Sequence, residues 1–338
     1  MKKLFTLKVP AYSLLIVVAV SIGASYIFIH AASQEKATLP ELNTAKYSTC
    51  DIQRIRLHDG NLTSPLLMTD VLNESERLQS LKEEINHFIN ESKSKNIIND
   101  AGIYIRQLNN GSWISINGGN GFHPGSLIKV PVLITYLKVS EKKPGYLDAK
   151  LVYHQPNFQV PKQTFEVPSI MKDGYAYSIR QLLYEMVAKS DNLATTLLLQ
   201  NIDTEGFKST FTDIGLPEPP LHDMNFQISA LDYSKFFRVL YNATYLSRAN
   251  SELALSILSK STFKEGIMKS IPDKITVAHK FGEYNDGPYK ELHEAGIIYV
   301  NNNPYLLTIM SKGNDIKTMP SFLGDVAKII HNKLQADN

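Results

Sequence analysis

Cysteine is almost missing from this chain: Cys50 is the only one in 338 residues. One thiol closes no internal disulfide and builds no cysteine cluster around a structural zinc, so both staples are excluded. A charge excess is missing too. Lysine and arginine number 35 against 33 aspartate and glutamate. The two signs are interspersed, without the basic face that nucleic-acid binding uses, and no nucleic-acid partner is expected. No internal repeat is evident. What remains, 43% hydrophobic and 20% charged residues, is ordinary for a packed globule of one large domain or two intimate ones.

Long hydrophobic runs are confined to the N-terminus. There "AYSLLIVVAVSIGASYIFIH", Ala11 to His30, follows Lys2, Lys3 and Lys8, and about 20 apolar residues are what a helix needs to span a bilayer. A cleaved signal peptide is the alternative, but "IFIHAASQ" sets Ile29 or His30 where a small residue belongs at the cleavage site. The expectation is a cytoplasmic tip and transmembrane anchor over 1–32, with the lysines inside and the rest extracytoplasmic. Cleavage would instead leave the protein secreted or periplasmic. Residues 33–72 are rich in turn formers and read as a juxtamembrane stalk that begins to dock near "SPLL". The folded domain is then 73–338.

Within that domain, Leu78, Leu81, Ile85, Phe88 and Ile89 recur at helical spacing. "GIYIRQL" and "SWISI" flank "NNG", a hairpin signal. A helical stretch follows over about 126–265, with Ser178/Gln181 and Ser229/Asp232 in capping-box spacing. Strand character returns at "KITVAHKFG", "EAGIIYV" and "PYLLTIMSK". A last amphipathic helix presents Phe322, Val326, Ile329, Ile330 and Leu334. This order predicts an α+β fold, an α/β/α sandwich. A five-stranded antiparallel sheet is flanked by the terminal helices, and the insert forms an all-helical lobe.

Chemistry is carried by three short stretches, none sufficient alone. In "HPGSLIKVPVL", Pro124 and Gly125 break the chain and Ser126 begins a helix, with Lys129 one turn along the same face. A helix start favours developing negative charge, and a desolvated lysine can act as a base towards a neighbouring hydroxyl. The same residues also fit the plain start of a buried helix. Ser-x-x-Lys recurs at Ser33/Lys36, Ser92/Lys95, Ser140/Lys143, Ser169/Lys172 and Ser261/Lys264, none in that setting. "SDN", Ser190 to Asn192, is also a common turn or cap triplet. "HKFG", with Lys280 and Gly282, shares Lys-x-Gly with sites at Lys143, Lys172 and Lys264. His293 and Glu294 lack the spacing of a metal site, so neither metal nor cofactor is expected.

Their order along the chain is more specific than any one of them. With "SLIKVPVL", "SDN", "HKFG" and then "HEAGIIYV", the chain resembles the class A β-lactamase and penicillin-binding-protein superfamily of serine hydrolases over roughly residues 74 to 336. The resemblance implies that Ser126 attacks an amide or β-lactam carbonyl to form an acyl-enzyme, with Lys129 accepting its proton. Ser190 would relay a proton to the leaving nitrogen, Asn192 would hold the substrate's side-chain amide, and Lys280 would pair with its carboxylate. The backbone N–H groups of Ser126 and of Glu283, the residue after Gly282, would form the oxyanion hole, each such donor contributing about 2.7–4 kcal/mol to the transition state. Asp191 would brace its loop.

Two departures temper this. Phe281 stands where the third motif usually has Thr or Ser, and Glu283 where a hydroxyl often follows, which puts carboxylate recognition in doubt. The Glu-x-x-Leu-Asn loop that activates the deacylating water in class A β-lactamases is missing from "FTDIGLPEPPLHDMNFQISALD"; Glu218 is the nearby acid, and Glu166 lies in a different segment. The expectation is a membrane-anchored, extracytoplasmic serine acyl-hydrolase of the β-lactamase or D,D-peptidase type. Its substrates would be β-lactams or peptidoglycan stem peptides, and deacylation would be slow. The alternative is a non-catalytic wall-binding or scaffolding protein on the same fold.

Overall fold

A computed structural model describes residues 52–57, 63–165, 167–219, 226–285, 289–300 and 303–336. The Ala11 to His30 segment, Cys50 and Glu166 lie outside the described residues. Among the described residues no helix is long and apolar enough to cross a membrane.

The first half runs β1 (Ile52–Arg56), β2 (Leu66–Val71), α1 (Gln79–Ser94), β3 (Asp100–Gln107), β4 (Trp113–Ile116), β5 (Gly121–Phe122), α2 (Lys129–Ser140) and β6 (Lys150–Val152). Then come β7 (Ala176–Ser178), α3 (Ile179–Ala188), α4 (Asn192–Gln200), α5 (Thr204–Thr212), β8 (Ile228–Ser229), α6 (Ala230–Asn242) and α7 (Arg248–Leu258). β9 (Thr276–Tyr284), β10 (Lys290–Tyr299), β11 (Tyr305–Gly313) and α8 (Met319–Ala336) complete the chain. The main sheet has five antiparallel strands in the order β4-β3-β11-β10-β9, as expected.

Its central strands are buried at nearly every position because both faces are covered. Along β11, Tyr305, Leu307 and Ile309 join Leu81, Ile85 and Ile89 of α1 and Phe322, Val326 and Ile330 of α8. The alternate residues Leu306 and Met310 join the helical lobe's Leu133, Phe237 and Leu240. Period-two geometry thus divides one strand between two cores. Each such side chain contributes about 1.5–3 kcal/mol by leaving water. Phe88 stacks on Phe322 at 5.7 Å, fastening the terminal helices to each other.

The N-cap half of both predicted capping boxes forms. The Ser178 hydroxyl accepts from the Gln181 backbone N–H at 3.2 Å, and that of Ser229 from Asp232 at 3.1 Å. Helices α5 and α7 were not individually expected; the threonines and glycine of "TEGFKSTFT" lower helix propensity. Each nevertheless has a side-chain cap, Asp203 and Ser247.

The predicted stalk is folded over much of its C-terminal part. β1 and β2 pair antiparallel, Leu67 and Met68 are buried, and docking therefore begins before "SPLL". Asp70 of β2 bridges Arg106 of β3 at 2.9 Å and Arg238 of α6 at 2.7 Å. Trp113 Nε1 donates to the Val71 carbonyl at 2.8 Å. These partners are remote in sequence, so local composition suggested only a connector.

Candidate active site

β9 is an edge strand, and a tight 3-10 turn, Gly125–Ile128, lies along its free side before α2 begins. Two glycines permit that approach. Gly125 has φ +49°, and a Cβ there would sit 2.3 Å from the Glu283 carbonyl oxygen. A Cβ on Gly282 would sit 2.6 Å from the Pro124 carbonyl oxygen. Backbone contact therefore joins the first and third motifs directly. The entry to the turn is also fixed, because the buried Glu291 carboxylate accepts from the His123 backbone N–H at 2.8 Å and contacts its Nδ1 at 3.0 Å. His293 Nε2 donates to the His123 carbonyl at 2.9 Å, its Nδ1 being the acceptor for Ser311 N–H. That arrangement uses both ring nitrogens, and among the described residues no group of metal-binding side chains forms.

Ser126 and Lys129 are both buried. Lys129 Nζ donates to the Ser190 carbonyl at 2.7 Å, to Ser190 Oγ at 3.1 Å and to Asn192 Oδ1 at 2.7 Å. Burial holds its pKa down at about 7, against the opposing pull of Asp191. Lys280, fully buried, donates to Ser190 Oγ at 2.9 Å and to the Phe281 carbonyl at 2.8 Å. Desolvation first, and then the charge of Lys129, push its pKa well below the usual lysine range, with Glu294 opposing. One hydroxyl, Ser190 Oγ, thus lies between two lysines that each lose protons readily. Ser190 reaches this position in the left-handed region, φ +57°. Asp191 caps α4 by accepting from the Ala194 N–H at 2.9 Å, which is the bracing expected of it.

The structure therefore brings Ser126, Lys129, Ser190, Asn192, Lys280, Gly282 and Glu283 into one place. Glu283 differs from its expected surroundings. Its buried carboxylate accepts from Thr164 N at 2.7 Å and Thr164 Oγ1 at 2.7 Å, and more weakly from Phe165 N at 3.4 Å. Asn285 Nδ2 donates to it as well. Phe281 is buried, stacked on Phe263 at 4.4 Å and met edge-on by Phe165 at 6.4 Å. Glu218 is at the surface, paired with Lys208 at 2.9 Å, and does not line the cleft.

The sequence offered no sign of Gln163. Its side-chain Nε2 donates to Ser126 Oγ and, at 3.1 Å, to Asn192 Oδ1. Asn192 Nδ2 in turn donates to the Pro161 carbonyl at 2.7 Å. Pro161 and Pro168 mark the segment as a loop, but nothing local says what it covers. The cleft left beside it is about 280 Å³, just below the roughly 300–1,000 Å³ usual for small-molecule sites. Thr195, Thr196 and Tyr284 complete its walls.

Residues 80–334 match the model of a family described as the Beta-lactamase enzyme family. No curated protein matches the chain. Among solved structures, PBP-A is 19% identical with a TM-score of 0.64, over 77% of this chain and 97% of its own. A mutant of PBP-A has been solved as its acyl-enzyme complex with penicillin G. A β-lactamase from Chitinophaga pinensis is 17% identical with a TM-score of 0.64, over 74% of this chain and 99% of its own. The TLA-3 extended-spectrum β-lactamase is 14% identical with a TM-score of 0.65, over 75% and 98%. These structural likenesses establish a common fold.

Proposed function

The chain belongs to the Beta-lactamase enzyme family of serine hydrolases, and from that premise we propose that Ser126 is acylated by β-lactams or by cell-wall peptide amides. The supporting observation is the Ser190 hydroxyl held between Lys129 at 3.1 Å and Lys280 at 2.9 Å, with Lys129 and Ser126 lining one cleft. In this reading Lys129, held near 7, is substantially neutral at physiological pH and takes the Ser126 proton as Oγ attacks the carbonyl carbon. The oxyanion develops between the N–H groups of Ser126 and Glu283. As the C–N bond breaks, Ser190 passes a proton to the leaving nitrogen and is resupplied by the lysine pair.

Release is slow. Among the described residues lining the cleft beside Ser126, Glu283 is the acid, and its carboxylate is committed to Thr164, Phe165 and Asn285. It is not placed as a free base for a deacylating water. The domain is carried outside the cytoplasm by the apolar segment 11–30, as an anchor or as a cleaved leader. Incubation with penicillin G followed by intact-mass measurement tests the reading. The expected result is a persistent adduct of one penicillin on the wild type and none on Ser126→Ala. An equal adduct on both would refute it. Saturable binding of peptidoglycan fragments without acylation, unchanged in Ser126→Ala, would instead support a non-catalytic wall-binding protein.

A further inference from the structure

Both departures in the third motif meet the same short segment. Glu283 holds the backbone and hydroxyl of Thr164, while Phe281, with Phe263, receives the ring of Phe165. Between those anchors and Pro161, Gln163 lies on the Ser126 hydroxyl. We propose that Pro161 to Phe165 is an autoinhibitory strap in which the Gln163 amide competes with substrate for Ser126, and that Phe281 and Glu283 are its anchors. The proposal rests on the acylation reading for its physiological meaning, though not for its test.

The competition follows from what the strap occupies. Gln163 Nε2 donates to Ser126 Oγ, using the electron density with which that oxygen would attack a carbonyl. The same nitrogen donates to Asn192 Oδ1 at 3.1 Å, while Asn192 Nδ2 donates to the Pro161 carbonyl at 2.7 Å. Both ends of the Asn192 amide and the nucleophile are therefore already satisfied by one stretch of chain. An incoming amide reaches them only after Gln163 leaves. The strap's own residues are exposed or half-buried, in contrast to the buried groups beneath. Its attachment is a set of polar contacts to Glu283, Ser126 and Asn192 plus the half-buried Phe165 ring at the margin of one core, which can release without unfolding either core. The observed rate of acylation is then the intrinsic rate multiplied by the fraction of molecules with the strap open.

Access to position 126 can be read without acyl chemistry. In a Cys50→Ser background, the thiol of Ser126→Cys is labelled with iodoacetamide, alone and combined with Gln163→Ala or Phe165→Ala. The expected result is labelling about tenfold or more faster in both combinations, together with faster penicillin adduct formation when the same strap changes are made on Ser126. Gln163→Ala removes only polar contacts at a half-buried position, so it remains decisive should Phe165→Ala fold poorly. Labelling no faster in Gln163→Ala than in its parent overturns the strap. Faster labelling with no penicillin adduct in any serine-containing form leaves the strap standing and refutes the acylation reading. Unchanged labelling with a normal adduct does the reverse.

Discussion

The floor and the roof of the cleft are built by opposite means. The floor is made of groups fixed within regular elements. Lys129 opens a helix, Asn192 opens another, Lys280 lies on a strand, and the glycines press the first motif against the third. Its polar atoms are buried, so each must be paired, and the same desolvation that makes them costly makes the lysines poor at keeping protons. The roof, residues 161–165, has no regular structure of its own and is held by Glu283 and Phe281. Reactivity is built into the part that cannot move, and access into the part that can.

If that division holds, the largest effects come from the floor. Lys129→Met removes the base and should lower the acylation rate by about 10²- to 10⁴-fold, followed as the growth of the penicillin adduct. A loss under tenfold would place the base elsewhere. The wild-type rate should climb with pH and level off above about 7, where Lys129 loses its proton. Stability should respond in the same direction. The unfolded lysine keeps its proton up to its ordinary value of 10.5, whereas the folded one has lost it above about 7. Between those values the unfolded chain binds the extra proton, so stability rises with pH. Above about 10 the trend reverses, because burial holds Tyr136 and Tyr305 above the usual tyrosine range and the unfolded chain then loses protons that the folded one keeps. Denaturation midpoints at pH 7.5 and 9.5 should therefore increase in the wild type and increase less in Lys129→Met.

Next in size is the joint between motifs. Gly125→Ala meets a backbone conformation at φ +49° and a carbonyl 2.3 Å from its new methyl. It should lose about 1–3 kcal/mol of stability and slow acylation about tenfold. Gly119→Ala, with nothing within 4 Å of its Cβ, is the matched control and should do neither. Equal behaviour of the two would mean that the contact between Gly125 and Glu283 does not hold the site together.

How far each region was legible follows the same division. Helix starts, capping boxes and the alternation of β11 follow from short-range periodicity, and the sheet with its two terminal helices was read correctly from them. The floor was legible through the resemblance, which rests on the order of "SLIKVPVL", "SDN" and "HKFG" along the chain and not on any one of them. The roof was not, since a glutamine in a proline-flanked loop has no periodicity and its importance comes from Ser126, far away in sequence. Glu283 looked like an obstacle to an anionic substrate until the strap supplied the donors for its carboxylate. The β1–β2 hairpin escaped notice for a related reason: its place depends on the Asp70 pairs with Arg106 and Arg238.

That hairpin supplies a smaller test, outside both floor and roof. Asp70→Ala strands two buried guanidinium groups and should cost about 2–3 kcal/mol, less than a fully enclosed pair because Asp70 retains 19% exposure. The penicillin adduct should form at the wild-type rate in the folded fraction. Were acylation to fall in step with stability, the hairpin would belong to the machinery of the cleft.

The smallest effect is expected at Glu218, where a nearby acid and a missing class A loop invited a catalytic role. Its carboxylate pairs with Lys208 at 2.9 Å and keeps 55% of its side-chain surface in water, in a loop that does not line the cleft. Exposed pairs of this kind contribute about 0–1 kcal/mol, so Glu218→Gln should shift the denaturation midpoint marginally. The rate at which the penicillin adduct disappears should not change at all. A slower decay would make Glu218 the base for hydrolysis and would require the loop that carries it to reach Ser126, adding a second moving part to a cleft otherwise built from a fixed floor and one strap.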